Sequence, residues 1–399
     1  MKIENNKNNI IKKHEKIFPC ENENIANHKK NINDSVNINS SKSKKIDSIS
    51  DCETDPGPVP EGLKVYTKGN PKWVNSKTKF GLCLTGGGPE SDEAMKWMIN
   101  RSGNGDLVVL RIKDNPEELT NDNSLTNYLY KLGNPDSITT LIVDTNDKAN
   151  LPYVEKVLKN AECLWIAGGN QANVFRNWKN SKLEKAVNYL ANEKKIPIGG
   201  TSAGMQCLGS VIYSPEEGYN SVISEDALYD PYLKAGDEPS GRSSGVTLEK
   251  GIFNLPFLKN TVLETHLSER HRLGRTLVFL ARMIKDHLTD SNKARAIAND
   301  EGTSVVIDDK GIARVFGNSD NGSDDYAYFI IPKSPPNICK PNKSLDWYSK
   351  SGSLDILKIE GTSDGRNTVD INSWITNDGK RINMNIDNGY LTEDIETPE

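Results

Sequence analysis

Strand-length apolar runs in this chain keep stopping at glycine. Residues 79–85 halt at Gly86-Gly87-Gly88, residues 163–167 at Gly168-Gly169, and Ile196-Pro197-Ile198 at Gly199-Gly200. Further runs at 106–112 and 138–143 lie between them, alternating with helical patterns at 91–99, 123–132, 152–158 and 175–190. Few architectures accept that alternation. Apolar strands separated by helices predict an α/β fold with a doubly wound, mostly parallel sheet, because the crossover helices bury both sheet faces. Ligands of such sheets sit beyond the carboxyl ends of the strands, so the three glycine-rich ends should converge on one crevice.

The third of these ends carries a candidate nucleophile. Gly200-Thr201-Ser202-Ala203-Gly204 is a G-x-S-x-G sequence, the pattern of a strand that turns sharply into a helix and lifts a serine clear of the sheet. Glycines flank such a serine because the turn brings backbone segments too close for a Cβ. The bend sets the serine at a helix start, where free backbone N–H groups can hold an oxyanion.

Beyond the bend the pattern changes. Residues 215–249 are polar and too long for a plain connection, which suggests a lid-like excursion. A strand is expected at 261–267, the clearest helix of the chain at 274–288, and short strands at 294–298, 304–307, 313–316 and 326–331, an antiparallel C-terminal extension of the fold. Residues 1–57 are rich in Asn, Lys and Ser and lack periodicity, so they read as a disordered head. The catalytic body is expected at 61–335. Residues 336–399 form a polar C-terminal extension, partly packed on that body.

Over 399 residues the formal charge is −5, which offers no basic field for nucleic acid. Six cysteines without a C-x-x-C pair argue against zinc and a disulfide framework, and suit buried thiols in a reducing compartment. No signal peptide or membrane-spanning run is visible, so a cytoplasmic location without membrane contact is expected. Neither a cofactor nor a metal is called for, and a homodimer is compatible with the sequence.

A serine hydroxyl needs a base, and histidine is the usual one near neutral pH. His14 and His28 fall in the head, His287 lies late in a helix with a surface-like neighbourhood, and His271 sits between two arginines. His266 ends the strand at 261–267 and is the best base by elimination. Nine acids lie between Ser202 and His266, and composition cannot choose among them. Past His266, Arg270, Arg272 and Arg275 suit a substrate carboxylate, or else ion pairs with Glu264, Glu269 or Asp300.

Taken together, Gly86-Gly87-Gly88, Gly168-Gly169-Asn170-Gln171, the Ser202 bend, Glu264-Thr265-His266-Leu267 with the arginine segment, and Asp300-Glu301-Gly302-Thr303 stand in an order that resembles cyanophycinase-like serine peptidases. That family includes α-aspartyl dipeptidases, and its fold resembles class I glutamine amidotransferases, a flavodoxin-like arrangement. The resemblance spans about 79–331. It implies Ser202 as nucleophile, His266 as base and an acid in the loop after the bend, where Glu225 is the first choice and Asp226 the second. The implied substrate is an aspartyl or β-aspartyl-arginine peptide. Ala203 and Gly169 would hold the oxyanion, while Gln171, Thr265, Arg270, Arg272 and Arg275 would bind substrate. Glu264 and Asn170 stand where the family commonly has aspartates, which changes the substrate side more than the reacting atoms.

Three other readings share these features. An α/β-hydrolase esterase has the same bend but needs a His-Gly-Gly-Gly oxyanion loop, and Gly86-Gly87-Gly88 lacks the histidine. A glutamine amidotransferase-like subunit needs a cysteine nucleophile, and Cys207 sits a turn too far along. A non-catalytic binder of acidic peptides would keep the arginines without needing serine and histidine together.

Overall fold

The glycine-stopped runs become the centre of a nine-stranded sheet. In the computed structural model, which describes residues 55–122, 124–237, 241, 243–317 and 325–393 within the unit Cys52–Glu399, its strands fall into an early and a late group. The early ones are β1 (Lys64–Gly69), β2 (Gly81–Thr85), β3 (Asp106–Arg111), β4 (Ser137–Ile142), β5 (Cys163–Ile166) and β6 (Pro197–Thr201). A second sheet of eight strands holds β7 (Val211–Tyr213), β8 (Leu248–Lys250), β9 (Thr261–Thr265), β10 (Arg295–Asn299), β13 (Tyr326–Pro332), β14 (Leu354–Glu360), β16 (Lys380–Asp387) and β17 (Tyr390–Glu393). The late strands of the first sheet are β11 (Ser304–Asp308), β12 (Ile312–Phe316) and β15 (Thr368–Asp370).

The first sheet runs β1-β4-β3-β5-β6-β2-β11-β12-β15. Its five inner strands from β4 to β2 are parallel, and β1, β11, β12 and β15 add to them antiparallel. The α/β class with a largely parallel core stands as the sequence predicts. Alternate residues explain why both faces are dry. Leu82, Leu84, Val108, Leu110, Leu164 and Ile166 pack with helices Pro152–Asn160, Gln171–Trp178 and Lys182–Tyr189. Cys83, Leu107, Val109, Cys163 and Trp165 pack instead with helices Asp92–Arg101 and Leu125–Gly133. The helical stretch expected at 175–190 is two helices, parted at Asn180, whose φ of 59° breaks the ladder.

The second sheet runs β17-β16-β14-β13-β10-β9-β7-β8. Leu263, Ile297 and Phe329 turn one face toward the first sheet's core, while Val262, Ala296 and Ile330 turn the other toward helix Leu273–Lys285. Within it β9 and β10 are parallel neighbours, with Thr265 opposite Asn299. The stretch read as a partly packed extension supplies β14, β16 and β17 to this sheet and β15 to the other. The head at 1–57 lies outside the described residues up to 54.

Candidate active site

Ser202 follows β6 in the middle of the first sheet, and its backbone takes φ 53° and ψ −125°, a conformation rarely adopted by a residue with a side chain. Sterics force the flanking glycines. A Cβ on Gly204 would lie 2.1 Å from the Ile166 carbonyl oxygen, and one on Gly200 would lie 2.8 Å from the Gly204 carbonyl carbon. Ala203 opens the short helix Ala203–Gln206, where the first N–H groups have no acceptor within the helix.

His266 follows β9, also in the left-handed region at φ 52°. Its Nε2 lies 2.8 Å from Ser202 Oγ, and its Nδ1 meets Glu301 Oε1. Two adjacent parallel strands thus deliver the histidine and a carboxylate from their carboxyl ends, while the serine arrives from the other sheet. Gly86-Gly87-Gly88 makes the junction possible. The Gly86 carbonyl accepts from His266 N–H at 3.0 Å, and the Gly87 carbonyl accepts from Gly302 N–H at 2.8 Å. A Cβ on Gly87 would stand 2.2 Å from His266 Cε1, inside the imidazole.

The acid facing His266 is therefore Glu301 and not Glu225. Glu225 sits in the helix Ser224–Tyr229, lining a cavity of about 1130 Å³ with Asp226, Leu267 and Tyr390. Glu301 belongs to the Asp300-Glu301-Gly302-Thr303 segment, so the signal was present in the sequence. It lies beyond His266 in chain order, outside the interval from serine to histidine that holds Glu225 and Asp226. Next to it, burial pushes the Asp300 carboxyl up to about 6, and its Oδ1 accepts from Ser268 N–H at 2.9 Å.

Burial lowers the His266 pKa below the ordinary histidine value, and Arg270 and Arg272 push the same way; Glu301 opposes them. The imidazole is thus neutral near pH 7 and can accept a proton at Nε2 while Nδ1–H is held by Glu301.

Two of the three expected arginines are occupied elsewhere. Arg275 donates from Nε and Nη2 to the two oxygens of Glu264, both at 2.8 Å, and from Nη1 to the Val222 carbonyl at 3.0 Å. Arg272 donates to the Thr265 carbonyl at 2.9 Å and approaches Glu264 at 3.4 Å. Gln206 gives Glu264 a further bond at 2.7 Å. Burial alone would raise the Glu264 carboxyl, but Arg275 and Arg272 overcome it and hold the group below the usual range. These arginines compensate a buried charge and do not face a substrate. Arg270, about half exposed, lies 3.8 Å from Glu301 and alone of the three borders the open site.

Thr265 is fully buried, its hydroxyl without a hydrogen-bond partner among the described residues, and so does not reach a substrate either. Gln171 is the buried first residue of its helix. Gly168 is the nearer member of its turn to the nucleophile: a Cβ there would lie 3.9 Å from Ser202 Oγ, whereas one on Gly169 would meet Ile112. Cys207 is a buried thiol whose pKa burial raises, which leaves Ser202 as the nucleophile candidate at the bend.

Residues 123–228, which include the bend, match the family model of Peptidase family S51. The matched segment runs from just before helix Leu125–Gly133 into helix Ser224–Tyr229 and carries Ser202. The resemblance read from the sequence thereby stands, and the chain is an enzyme of the serine peptidase class. Among solved structures, this peptidase is similar to a peptidase from an acI-B1 Actinobacterium at 15% identity, covering 61% of this chain and 89% of that one with a TM-score of 0.41. It is also similar to a candidate peptidase E protein from Listeria monocytogenes EGD-e at 11% identity, covering 61% and 100% with a TM-score of 0.36. No curated protein matches it. Among the described residues no helix is long and apolar enough to cross a membrane, and no group of three His, Cys, Asp or Glu could hold a metal.

Proposed function

We propose that the chain hydrolyses aspartyl or β-aspartyl peptide bonds through Ser202, His266 and Glu301. The observation that carries this reading is the continuous line from Ser202 Oγ to His266 Nε2 at 2.8 Å and on from Nδ1 to Glu301. Ser202 attacks the carbonyl carbon as Nε2 takes the hydroxyl proton, and Glu301 steadies the imidazolium that forms. Ala203 N–H, with the backbone of the turn at Gly168-Gly169, receives the oxyanion. Nε2 then protonates the leaving amine, and a water molecule, deprotonated by the same nitrogen, releases the acyl group.

A preference for acidic residues is supported by Arg270 at the mouth of the site, and by the likeness to aspartyl-cleaving peptidases on which the sequence reading rests. A fluorophosphonate should label Ser202, and the protein should release amine from isoaspartyl or N-terminal aspartyl peptides. Ser202→Ala should abolish labelling and lower kcat by roughly 10⁴-fold or more. Hydrolysis of short acyl esters with none of aspartyl peptides would favour an esterase. Binding of acidic peptides by a chain whose Ser202 stays unlabelled would favour a non-catalytic binder.

A further inference from the structure

Arg111 is a fourth arginine at the crevice, and it is used differently from Arg272 and Arg275. It ends β3 and lines a cavity of about 790 Å³ whose wall also includes Thr201 and Gly168, the two residues against Ser202. Its Nη1 donates to Glu118 Oε2 at 3.1 Å, its Nε is buried with no hydrogen-bond partner among the described residues, and 21% of its side chain stays accessible. A guanidinium has five N–H donors, and a buried donor left unmade costs about 1–3 kcal/mol. Glu118 does not depend on Arg111 alone: it also accepts from Thr126 N–H at 2.8 Å, the Thr126 hydroxyl at 2.7 Å and Asn115 at 2.9 Å.

Acids on the same wall are already engaged. Asp92 accepts from the Tyr128 hydroxyl at 2.8 Å, and Asp122 pairs with Lys131 at 3.2 Å. Burial raises the Glu90 carboxyl above its ordinary value, and hydrogen bonding to Thr201 opposes the rise. What the cavity offers beside the nucleophile is a cation with donors to spare.

We propose that this cavity is the subsite for a carboxylate-bearing substrate residue, with Arg111 as the residue that reads the carboxylate. The assignment rests on the peptidase reading only for its place beside Ser202. A carboxylate there would take the guanidinium edge that Glu118 leaves free, the planar fork geometry that arginine provides and lysine does not.

Binding to the full chain carrying Ser202→Ala tests this without turnover. N-acetylaspartate amide should bind roughly 10- to 100-fold more tightly than N-acetylasparagine amide by calorimetry. Adding Arg111→Gln should erase that ratio, and Arg111→Lys should restore part of it. If Arg111→Gln does not fold, Arg111→Gln with Glu118→Gln removes both charges together and should erase the ratio equally. Equal binding of the two amides to the parent, or a ratio that survives the loss of Arg111, overturns the assignment. Unlabelled Ser202 in a protein whose aspartate preference still depends on Arg111 would sink the peptidase reading and leave the subsite standing.

Discussion

Two glutamates lie at the ends of neighbouring strands in this molecule, and they have opposite fates. Glu264 closes on itself: sealed under β9, it receives both arms of Arg275, an approach from Arg272 and a bond from Gln206. Glu301, just past β10, keeps about a third of its side chain exposed and grips the one histidine that touches Ser202. The first arrangement is saturated, so its charge can only support the strand beneath the site. The second leaves an imidazole nitrogen free to exchange a proton, and chemistry needs that incompleteness. Residue type did not decide the roles; the number of partners did.

The sharpest way to break this contrast is to neutralise the open glutamate. Glu301→Gln should lower kcat by about 10³- to 10⁴-fold with little change in melting temperature, because it upsets the histidine's tautomer and charge without emptying a core. Glu225→Gln, measured beside it, should stay within a few-fold of the parent. Comparable losses in both would return Glu225 to the centre.

The sealed glutamate should answer in stability. Arg275→Met leaves a buried carboxylate under-compensated and should cost about 3 kcal/mol in denaturant unfolding, with Arg275→Met plus Glu264→Gln recovering part of it. A variant that unfolded like the parent but lost affinity for acidic peptides would move Arg275 from support to recognition.

The smallest effect is in pH. Because the His266 pKa lies below the ordinary value, its neutral form persists as acid is added, and kcat/KM should hold to about 6.5 and fall only below it. Glu301 raises that pKa, so Glu301→Gln should push the falling limb lower still, while Asp300→Asn should leave it in place. A limb above 7 would contradict the desolvated imidazole.

The parallel core was legible because its strands are wholly apolar and stop at glycines. β1 was not legible: Lys64–Gly69 sits at an antiparallel edge with no fully buried residue, so its sequence carries no hydrophobic period. The second sheet was seen only as isolated strands, since pairing between β9 and β10 is a long-range fact that no local pattern encodes. Ser202 and His266 could be read from the glycine spacing and from the scarcity of histidines. Glu301 could not be ranked without knowing which strand ends lie side by side. Nor could spacing tell that Arg272 and Arg275 turn inward, because Glu264 is only two residues before His266 and its demand for compensation depends on burial.

The proposed triad is shared between two separate sheets, with Ser202 on one and His266 and Glu301 on the other, and the triple-glycine turn is where they touch. Each sheet can thus keep its own hydrogen-bonded ladder while a slippage of one past the other draws the hydroxyl out of the imidazole's reach. On the proposed mechanism, catalytic competence would follow the alignment of the two halves as well as the integrity of each.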